Sequence, residues 1–450
     1  MQRSRRDRSS QRVDSLASTG VPAVLIGPIS EVAASAPGRI SVGAWPGLVL
    51  YRLLLNAHWM VLRALRLRKR TPQVPHSQSM RVLLTGTFYS ESWILDHLKP
   101  LAASRLCAEI WLVTTIAIPP TEKVKVIHPP FWLIRCVGQV PARLIVFVVT
   151  AVRHRPDFVG GFHLLPNGLV ALLLARFIGS WCVYFCGGGP REVEDGGFRS
   201  ESRSLRFLKA PDAGLERKLL RAVDEIDLVI TMGRGAQGFF RSRGVRSRNE
   251  VVPGGIDSLR FQFDDQPKKY DLILIGRLHP VKRIDLFLRT VRKLAETNPD
   301  VSAVVVGGGE LESSLRGLAV ELGVGDRVTF AGQQPDVGPW LAQSRVFVLT
   351  SESEGLSLAL MEAMTAGLPC VVANVGEMGE LVEHGSTGFL VDEDSPEAFC
   401  FFLEQLLSSE SVREQFSMAS KKAASRLTTA ETAKRWDRIF GDFGYSSSAN

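Results

Sequence analysis

SEGLSLALMEAMTAGLP, residues 353–369, is the stretch that decides the fold. Its good helix formers predict a helix over residues 357–366 that ends at Gly367. Glu354 therefore lies in the loop just before the helix N-terminus, and Glu362 lies about a turn inside the helix. Free backbone N–H groups and the positive dipole end at Gly355 to Ser357 form a seat for phosphate. Because carboxylates accept hydrogen bonds from sugar hydroxyls, this pattern suits a sugar nucleotide.

An ordinary helix with one capping acid and one solvated glutamate is the alternative interpretation of this stretch. A second feature of the sequence is needed to choose between the two. Residues 271–276 form an apolar run that predicts a buried strand, and Arg277 follows it directly. Lys282 stands at the start of an amphipathic helix predicted over Ile284 to Leu294. Open α/β sheets bind ligands at the carboxyl ends of their strands, where two cations can neutralise a diphosphate. Two solvated surface charges are the alternative.

The spacing of Glu354 and Glu362 resembles the E-x7-E motif of retaining glycosyltransferases of the GT-B fold, family 4. Other segments are similar to this family in the same order along the chain. They are the interdomain segment Val252 to Phe261, the strand-end Arg277 with Lys282, and the closing elements Gly367 to Val372 and Gly376 to Glu380. The resemblance covers roughly residues 250–395, and several ordered matches are more specific than any one of them.

The resemblance implies a role for each matching residue. Glu354 is expected to contact the donor sugar and Glu362 the nucleotide ribose. Arg277 and Lys282 are expected to hold the diphosphate, with Gly355, Leu356 and Ser357 offering backbone donors. Glu354, Arg277 and Lys282 are the candidate catalytic residues. No Asp-x-Asp metal motif stands in a credible place, so no metal and no other cofactor is expected, and the two cations are predicted to replace a divalent ion.

One departure from the family falls in the first half of the chain. The family commonly has a histidine where this chain has Cys186, followed by Gly187 and Gly188. His163, at a nearby strand end, is a candidate substitute or a histidine packed in a loop. Gly187 and Gly188 would let the backbone approach an acceptor or the donor sugar closely. Glu192 is either an acceptor contact or a surface acid.

Strands alternate with helices throughout, which predicts α/β architecture with parallel sheets covered on both faces. At 450 residues, two or three domains are expected. The expected fold is GT-B, with two doubly wound Rossmann-like domains and a cleft between them. The predicted boundaries are a disordered basic tail at 1–43, an amphipathic helix and linker at 44–79, an acceptor-side domain at 80–258, a nucleotide-sugar domain at 259–428, and a helix crossing back to the first domain, with a tail, at 429–450.

The positive charge is concentrated near the N-terminus. The whole chain carries +8, but residues 1–76 alone carry +9. Residues 44–70 are apolar, contain two tryptophans and end in basic residues, but Arg52, His58 and Arg63 argue against a membrane span on composition. This segment suits a helix lying in an anionic membrane surface, or one packed on the protein's own N-terminal domain. The apolar stretch Phe131 to Val149 is predicted as a core helix with a lipid-facing edge.

Other classes of protein are less compatible with the sequence. The six cysteines form no CxxC pair, which is typical of a reducing compartment. No nucleic-acid motif or aromatic platform accompanies the basic tail, so nucleic acid is not an expected partner.

The function indicated is a retaining glycosyltransferase that moves a sugar from a nucleotide sugar to a lipid-linked or oligosaccharide acceptor, in surface polysaccharide or glycolipid biosynthesis. It would be a cytoplasmic protein, peripheral at the inner face of the membrane. The alternatives are a non-catalytic scaffold or membrane-recruiting subunit, and a sugar-nucleotide epimerase or phosphorylase on the same fold.

Overall fold

The computed structural model describes residues 45–66, 79–88, 91–198, 200, 205, 208–263 and 267–445. The predicted tail at 1–43, most of the predicted linker and the final residues 446–450 lie outside this part of the chain. The predicted domain boundaries themselves stay predictions.

The first half of the chain forms a seven-stranded sheet in the order β3-β2-β1-β4-β5-β6-β7, and every pair of neighbours is parallel. Its strands are β1 (Met80–Thr85), β2 (Cys107–Val113), β3 (Val124–Ile127), β4 (Phe158–Phe162), β5 (Trp181–Cys186), β6 (Leu228–Thr231) and β7 (Arg248–Val251). Its helices are α1 (Trp45–Arg66), α2 (Glu91–Ala103), α3 (Phe131–Val137), α4 (Gln139–His154), α5 (Leu169–Ile178), α6 (Ala213–Asp224) and α7 (Arg234–Ser242).

The second half forms a six-stranded sheet in the order β10-β9-β8-β11-β12-β13, again parallel throughout. Its strands are β8 (Tyr270–Ile275), β9 (Ala303–Val306), β10 (Val328–Gly332), β11 (Ser344–Leu349), β12 (Cys370–Ala373) and β13 (Gly388–Val391). The helices are α8 (Ile284–Leu294), α9 (Glu312–Glu321), α10 (Gly338–Ala342), α11 (Leu358–Thr365), α12 (Pro396–Ser408), α13 (Glu410–Ala424) and α14 (Thr429–Tyr445). The predicted α/β architecture with two doubly wound sheets is confirmed.

Two segments connect the halves, and they pair with each other. Ile256 donates its backbone N–H to Leu427 O, and Thr429 donates back to Ile256 O. After this crossing, α14 packs on α2, and its Trp436 and Phe440 enter the core beneath the first sheet. The last helix of the chain therefore completes the core of the first domain.

The apolar stretch at Phe131 to Val149 differs from its prediction as one core helix. It forms α3 and α4, separated at Gly138, whose φ of 87° interrupts the helical path. Helix α3 buries no residue, and Phe131 and Trp132 are 72% and 64% exposed. Helix α4 buries one face, which includes Phe147. Only α4 therefore belongs to the core.

Helix α1 packs on the first domain through Leu55 and Leu62, and Leu48, seven residues before Leu55, is also buried. Within the described residues, Gly47–Leu65 is the one helical segment long and apolar enough to cross a membrane by length and composition, although core helices pass the same test. The prediction that Arg52, His58 and Arg63 make this segment too polar to span a membrane is therefore wrong on composition, because its mean hydropathy is still high enough.

Phe440→Ala should destabilise the first domain by about 3–5 kcal/mol, the usual cost of removing a buried phenylalanine ring. Phe440 is 1% exposed and its ring lies 5.3 Å from that of Phe158. Urea denaturation followed by circular dichroism measures the change. Phe401→Ala is the control, because Phe401 is 63% exposed. Equal effects of the two substitutions would contradict the packing of α14 in the core of the first domain.

Candidate functional site

The carboxyl ends of β8 and β11 carry the first half of the site. Arg277 lies one residue beyond Gly276 at the end of β8, and Lys282 ends the single turn Pro280–Lys282 before α8. Lys282 packs over Gly276, where an added Cβ would lie 3.6 Å from its side chain. Gly307, at the end of β9, has a φ of 143°, and a Cβ there would lie 1.9 Å from Gly276 O. The glycines therefore bring the strand ends and Lys282 together.

Glu354 and Lys282 form an ion pair. Lys282 Nζ lies 2.6 Å from Glu354 Oε1, and the same oxygen accepts a 2.6 Å hydrogen bond from Ser351 Oγ. Both charged side chains are largely shielded, with 16% and 9% of their surfaces exposed. An ammonium has three donors, so Lys282 can hold Glu354 and a phosphate oxygen at once. Two of the predicted site residues are therefore in direct contact.

Helix α11 begins where the sequence predicted a phosphate seat. Ser357 is its N-cap and accepts a hydrogen bond from Leu360 N. The preceding Gly355 faces the other domain, because a Cβ on it would lie 3.2 Å from Gly187 O. Leu356 packs against the apolar cores of both domains. Gly355, Leu356 and Ser357 thus lie at the junction of the two halves.

Glu362 is held apart from Glu354, on the buried side of α11, where it is 7% exposed. Burial, and then the negative charge of Asp96 on α2, raise its pKa, while Arg260 opposes this rise. The pKa of Asp96 is raised in turn, mainly by burial, and its Oδ2 atom is buried without a hydrogen-bond partner. The negative charge of Asp96 in the first domain therefore disfavours ionisation of Glu362 in the second.

The first domain contributes a cluster of His163, Gly187, Gly188 and Glu192. His163 Nδ1 lies 2.9 Å from Glu192 Oε1, and Gly188 N donates to the same oxygen at 2.7 Å. A Cβ on Gly187 would lie 3.4 Å from His163 Cε1. The three residues named as candidate acceptor or sugar contacts are therefore neighbours.

Glu192 orients His163. Its other oxygen, Oε2, accepts hydrogen bonds from Leu164 N and Tyr184 Oη, both at 2.8 Å. Burial tends to raise the pKa of Glu192, but the charge and hydrogen bond of His163 and the backbone donors outweigh it and lower this pKa. An ionised carboxylate only accepts hydrogen bonds, so Nδ1 of His163 carries a proton. The interpretation of Glu192 as a surface acid is wrong, since only 10% of its side chain is exposed.

A second junction joins the domains at the N-terminus of α7. Glu377 of the second domain accepts hydrogen bonds from Gly235 N at 2.9 Å and Ala236 N at 2.6 Å. Glu380 accepts from Arg234 N. A Cβ on Gly233 would lie 2.6 Å from the Glu377 carboxyl group. A carboxylate at a helix N-terminus is favoured by the helix dipole, so this contact holds the halves together.

Sequence reasoning missed Asp96, Arg260 and the role of Glu377. Asp96 stands in the middle of a helix outside any motif, and the resemblance of the segment Val252 to Phe261 assigned no role to Arg260. The signal for Glu377 was present in Gly233-Arg234-Gly235, because glycines at a helix start permit close approach of another chain segment. Among the described residues, no cluster of three or more His, Cys, Asp or Glu could hold a metal ion.

Residues 255–423, which carry both motif glutamates, match the family model described as glycosyl transferases group 1. This domain belongs to the group 1 glycosyltransferases. Its assignment to family 4 within them stays a prediction.

Curated relatives agree with this assignment. D-inositol 3-phosphate glycosyltransferase of Thermomonospora curvata is 31% identical over 206 residues, 43% of this chain and 48% of that protein. A GDP-mannose-dependent α-(1-6)-phosphatidylinositol monomannoside mannosyltransferase of Mycobacterium tuberculosis is 29% identical over 245 residues, 50% of this chain and 62% of that protein. The chain spans about half the length of the first curated relatives it matches.

The crystal structure of HepE from Anabaena in complex with UDP-glucose is similar in fold to most of this chain. It has a TM-score of 0.63 at 20% identity and covers 81% of this chain and 100% of its own. This likeness shows the fold. The group 1 glycosyltransferase domain therefore forms the second half of a GT-B architecture.

Asp96→Asn should flatten the loss of stability with rising pH. Raised carboxyl pKa values mean that the folded protein binds more protons than the unfolded chain, so stability falls as the pH rises above about 4, the ordinary carboxyl value, through the raised values. The substitution removes the negative charge of Asp96, which raises the pKa of Glu362. The midpoint of thermal unfolding, measured from acid to mildly alkaline pH, reports the slope. If the exposed control Asp300→Asn changes the slope equally, the two carboxyl groups are not coupled.

Glu377→Ala should open the cleft. It removes two charge-assisted hydrogen bonds, each worth about 1.5–3 kcal/mol, from the junction at α7. Small-angle X-ray scattering should then show a larger radius of gyration than for the wild type. Glu383→Ala, an exposed glutamate six residues further on, is the control and should leave the radius unchanged. An unchanged radius for Glu377→Ala would mean that this contact does not hold the domains closed.

Proposed function

We propose that this protein is a retaining glycosyltransferase that uses a nucleotide-sugar donor. The observation that carries the proposal is the Lys282–Glu354 pair, 2.6 Å apart at the carboxyl edge of the second sheet. It adjoins Gly355, whose backbone lies against Gly187 of the first domain. A cation and a carboxylate at the mouth of a helix N-terminus suit a diphosphate linked to a sugar.

In this proposal the donor lies along the start of α11. Arg277 and Lys282 hold the diphosphate, with backbone donors from Gly355, Leu356 and Ser357. Glu354 accepts a hydrogen bond from a hydroxyl of the donor sugar, and Glu362 accepts hydrogen bonds from the ribose hydroxyls. Since the charge of Asp96 disfavours ionisation of Glu362, the ribose would enter as the domains separate slightly, and its hydroxyls would offer Glu362 hydrogen bonds in place of this repulsion.

The transfer step needs no protein nucleophile. An acceptor hydroxyl approaches the anomeric carbon from the side of the first domain, where His163, Gly187 and Gly188 lie. The bond from the anomeric carbon to the diphosphate oxygen breaks, and its electron pair leaves with the nucleoside diphosphate. The hydroxyl oxygen forms the new bond on the same face and passes its proton to the departing phosphate. Arg277 and Lys282 stabilise the developing negative charge.

We further propose that the acceptor is a lipid-linked saccharide or a glycolipid in bacterial surface polysaccharide or glycolipid biosynthesis, and that the protein works at the inner face of the membrane. The Mycobacterium tuberculosis relative, named for a phosphatidylinositol mannoside substrate, supports this class. The exposed apolar helices of the first domain support it independently.

Lys282→Gln should lower nucleoside diphosphate release by about 100- to 1000-fold, because it removes a cation from the leaving group. The assay incubates the full chain with a panel of UDP-, GDP- and ADP-sugars, with thermal shift as a parallel readout of binding. Lys293→Gln is the control, since Lys293 forms only an exposed ion pair with Glu296.

The outcomes separate the alternatives. A donor that stabilises the wild type and the control, and is turned over far more slowly by Lys282→Gln, supports the proposal. Turnover that survives Lys282→Gln unchanged contradicts the assigned leaving-group site. Failure of every donor to bind folded wild type would favour a scaffold protein instead.

A further inference from the structure

The outer surface of the first domain combines exposed apolar helices with a basic cavity that the proposed reaction does not use. Helices α1 and α4 both pack against α5. Their buried residues share one apolar core with those of α6, so all four helices cover the same face of the first sheet. We call this surface the outer helical face; it consists of α1, α3, α4 and the exposed side of α6.

The outer helical face exposes large apolar side chains in both of its parts. On α1 they are Val49, Leu50, Leu53, Leu54, Met60 and Val61, which are between 44% and 73% exposed. On α3 and α4 they include Phe131, Trp132 and Val149, at 72%, 64% and 59%. A monomeric protein rarely leaves so many apolar side chains together in water.

A cavity of about 670 Å³ opens beside α1 and is lined by Arg52, Gly214, Arg217, Lys218 and Arg221. Arg52 is paired with Asp212 at 2.7 Å, and Arg221 lies over the Trp59 ring at 5.6 Å. Four cations against one carboxylate leave the cavity strongly positive. Arg217 and Arg221 are exposed, so their charges can reach a ligand from outside.

We propose that the outer helical face docks on an anionic lipid surface, with lipid phosphates in the basic cavity and the apolar side chains of α1, α3 and α4 among the acyl chains. The combination of an apolar ridge, interfacial tryptophan and adjoining arginines matches the layers of a lipid leaflet, where negative headgroups lie above hydrocarbon. Three leucines bury the inner side of α1 and Arg52 ties it to α6, so the helix would lie along the leaflet.

A second copy of this chain is a poorer occupant. A two-fold dimer through the outer helical face would place the same patch on both subunits. The basic cavities of the two subunits would then lie close to each other, and their positive charges would repel. A lipid leaflet supplies the opposite charge instead, so charge complementarity selects the membrane.

The test is flotation of the full chain with two kinds of vesicle, pure phosphatidylcholine and phosphatidylcholine mixed with phosphatidylglycerol. The wild type should bind the anionic vesicles. Arg217→Gln combined with Arg221→Gln should weaken that binding by about 30-fold, the effect of two basic residues at an anionic surface. Leu53→Gln combined with Leu54→Gln should weaken it as well, because both leucines are more than half exposed.

Arg292→Gln combined with Arg316→Gln is the matched control, with the same loss of charge on α8 and α9 of the other domain. Residues 1–44 are unchanged in every variant, so their own attraction to vesicles cancels in the comparison. Loss of binding in the control equal to that in the cavity variant would overturn the proposal. So would absence of wild-type binding, or sedimentation velocity showing a dimer that the leucine variant dissolves. The assay does not depend on sugar transfer, and circular dichroism confirms that each variant is folded.

Discussion

Every neighbouring strand pair in both sheets is parallel, and this constraint decides where chemistry can occur. In a parallel sheet all carboxyl ends lie on one edge, and the crossover helices begin there with their positive dipole ends. The chain joins the two sheets through the paired segments around Ile256 and Thr428. The ends of β4 and β5 consequently lie close to the loop before α11, as the approach of Gly355 to Gly187 O shows. Glu354 and His163 lie on the same cleft because each follows the carboxyl end of a strand in a parallel sheet.

The contacts across this cleft differ in electrostatic character. Glu354 is neutralised within its own domain by Lys282, so it does not oppose closure. Glu377 accepts hydrogen bonds from backbone N–H groups at the N-terminus of α7, and this contact favours closure of the cleft. Glu362 and Asp96 both carry raised pKa values, mainly because burial disfavours ionisation, and the charge of Asp96 raises the pKa of Glu362 further. The contact of Glu377 with α7 thus holds the domains together. The burial of Glu362 and Asp96 is unfavourable, and hydrogen bonds from water or from a ligand with hydroxyl groups would make it less so. This balance suits a cleft that must open and close around a ligand.

The sequence predicted those parts of the fold that depend on local pattern. The apolar runs of β4, β5, β8 and β12 and the helix formers of α11 are contiguous, so periodicity and composition located them. Strand β7, Arg248–Val251, was missed because it is polar and only half-buried, and β13 was missed because it begins at Gly388, directly after the turn-like residues Gly385, Ser386 and Thr387. Asp96 and Arg260 could not be found this way, since they meet Glu362 only after the interdomain crossing has formed. Long-range charge pairs have no spacing in the sequence that could reveal them.

The same geometry bears on the histidine that the family resemblance predicts at the end of β5, where this chain has none. Strands β4 and β5 are adjacent and in register, with Phe162 opposite Phe185, and His163 N donates to Phe185 O at 3.0 Å. A residue just past one strand therefore lies beside the residue just past its neighbour, since paired strands are about 4.8 Å apart. His163 adopts a φ of 64°, uncommon for a residue with a Cβ, and Glu192 fixes its ring. A strained backbone held by a buried carboxylate is typical of a functional position, so the role of His163 stays a prediction with a physical basis.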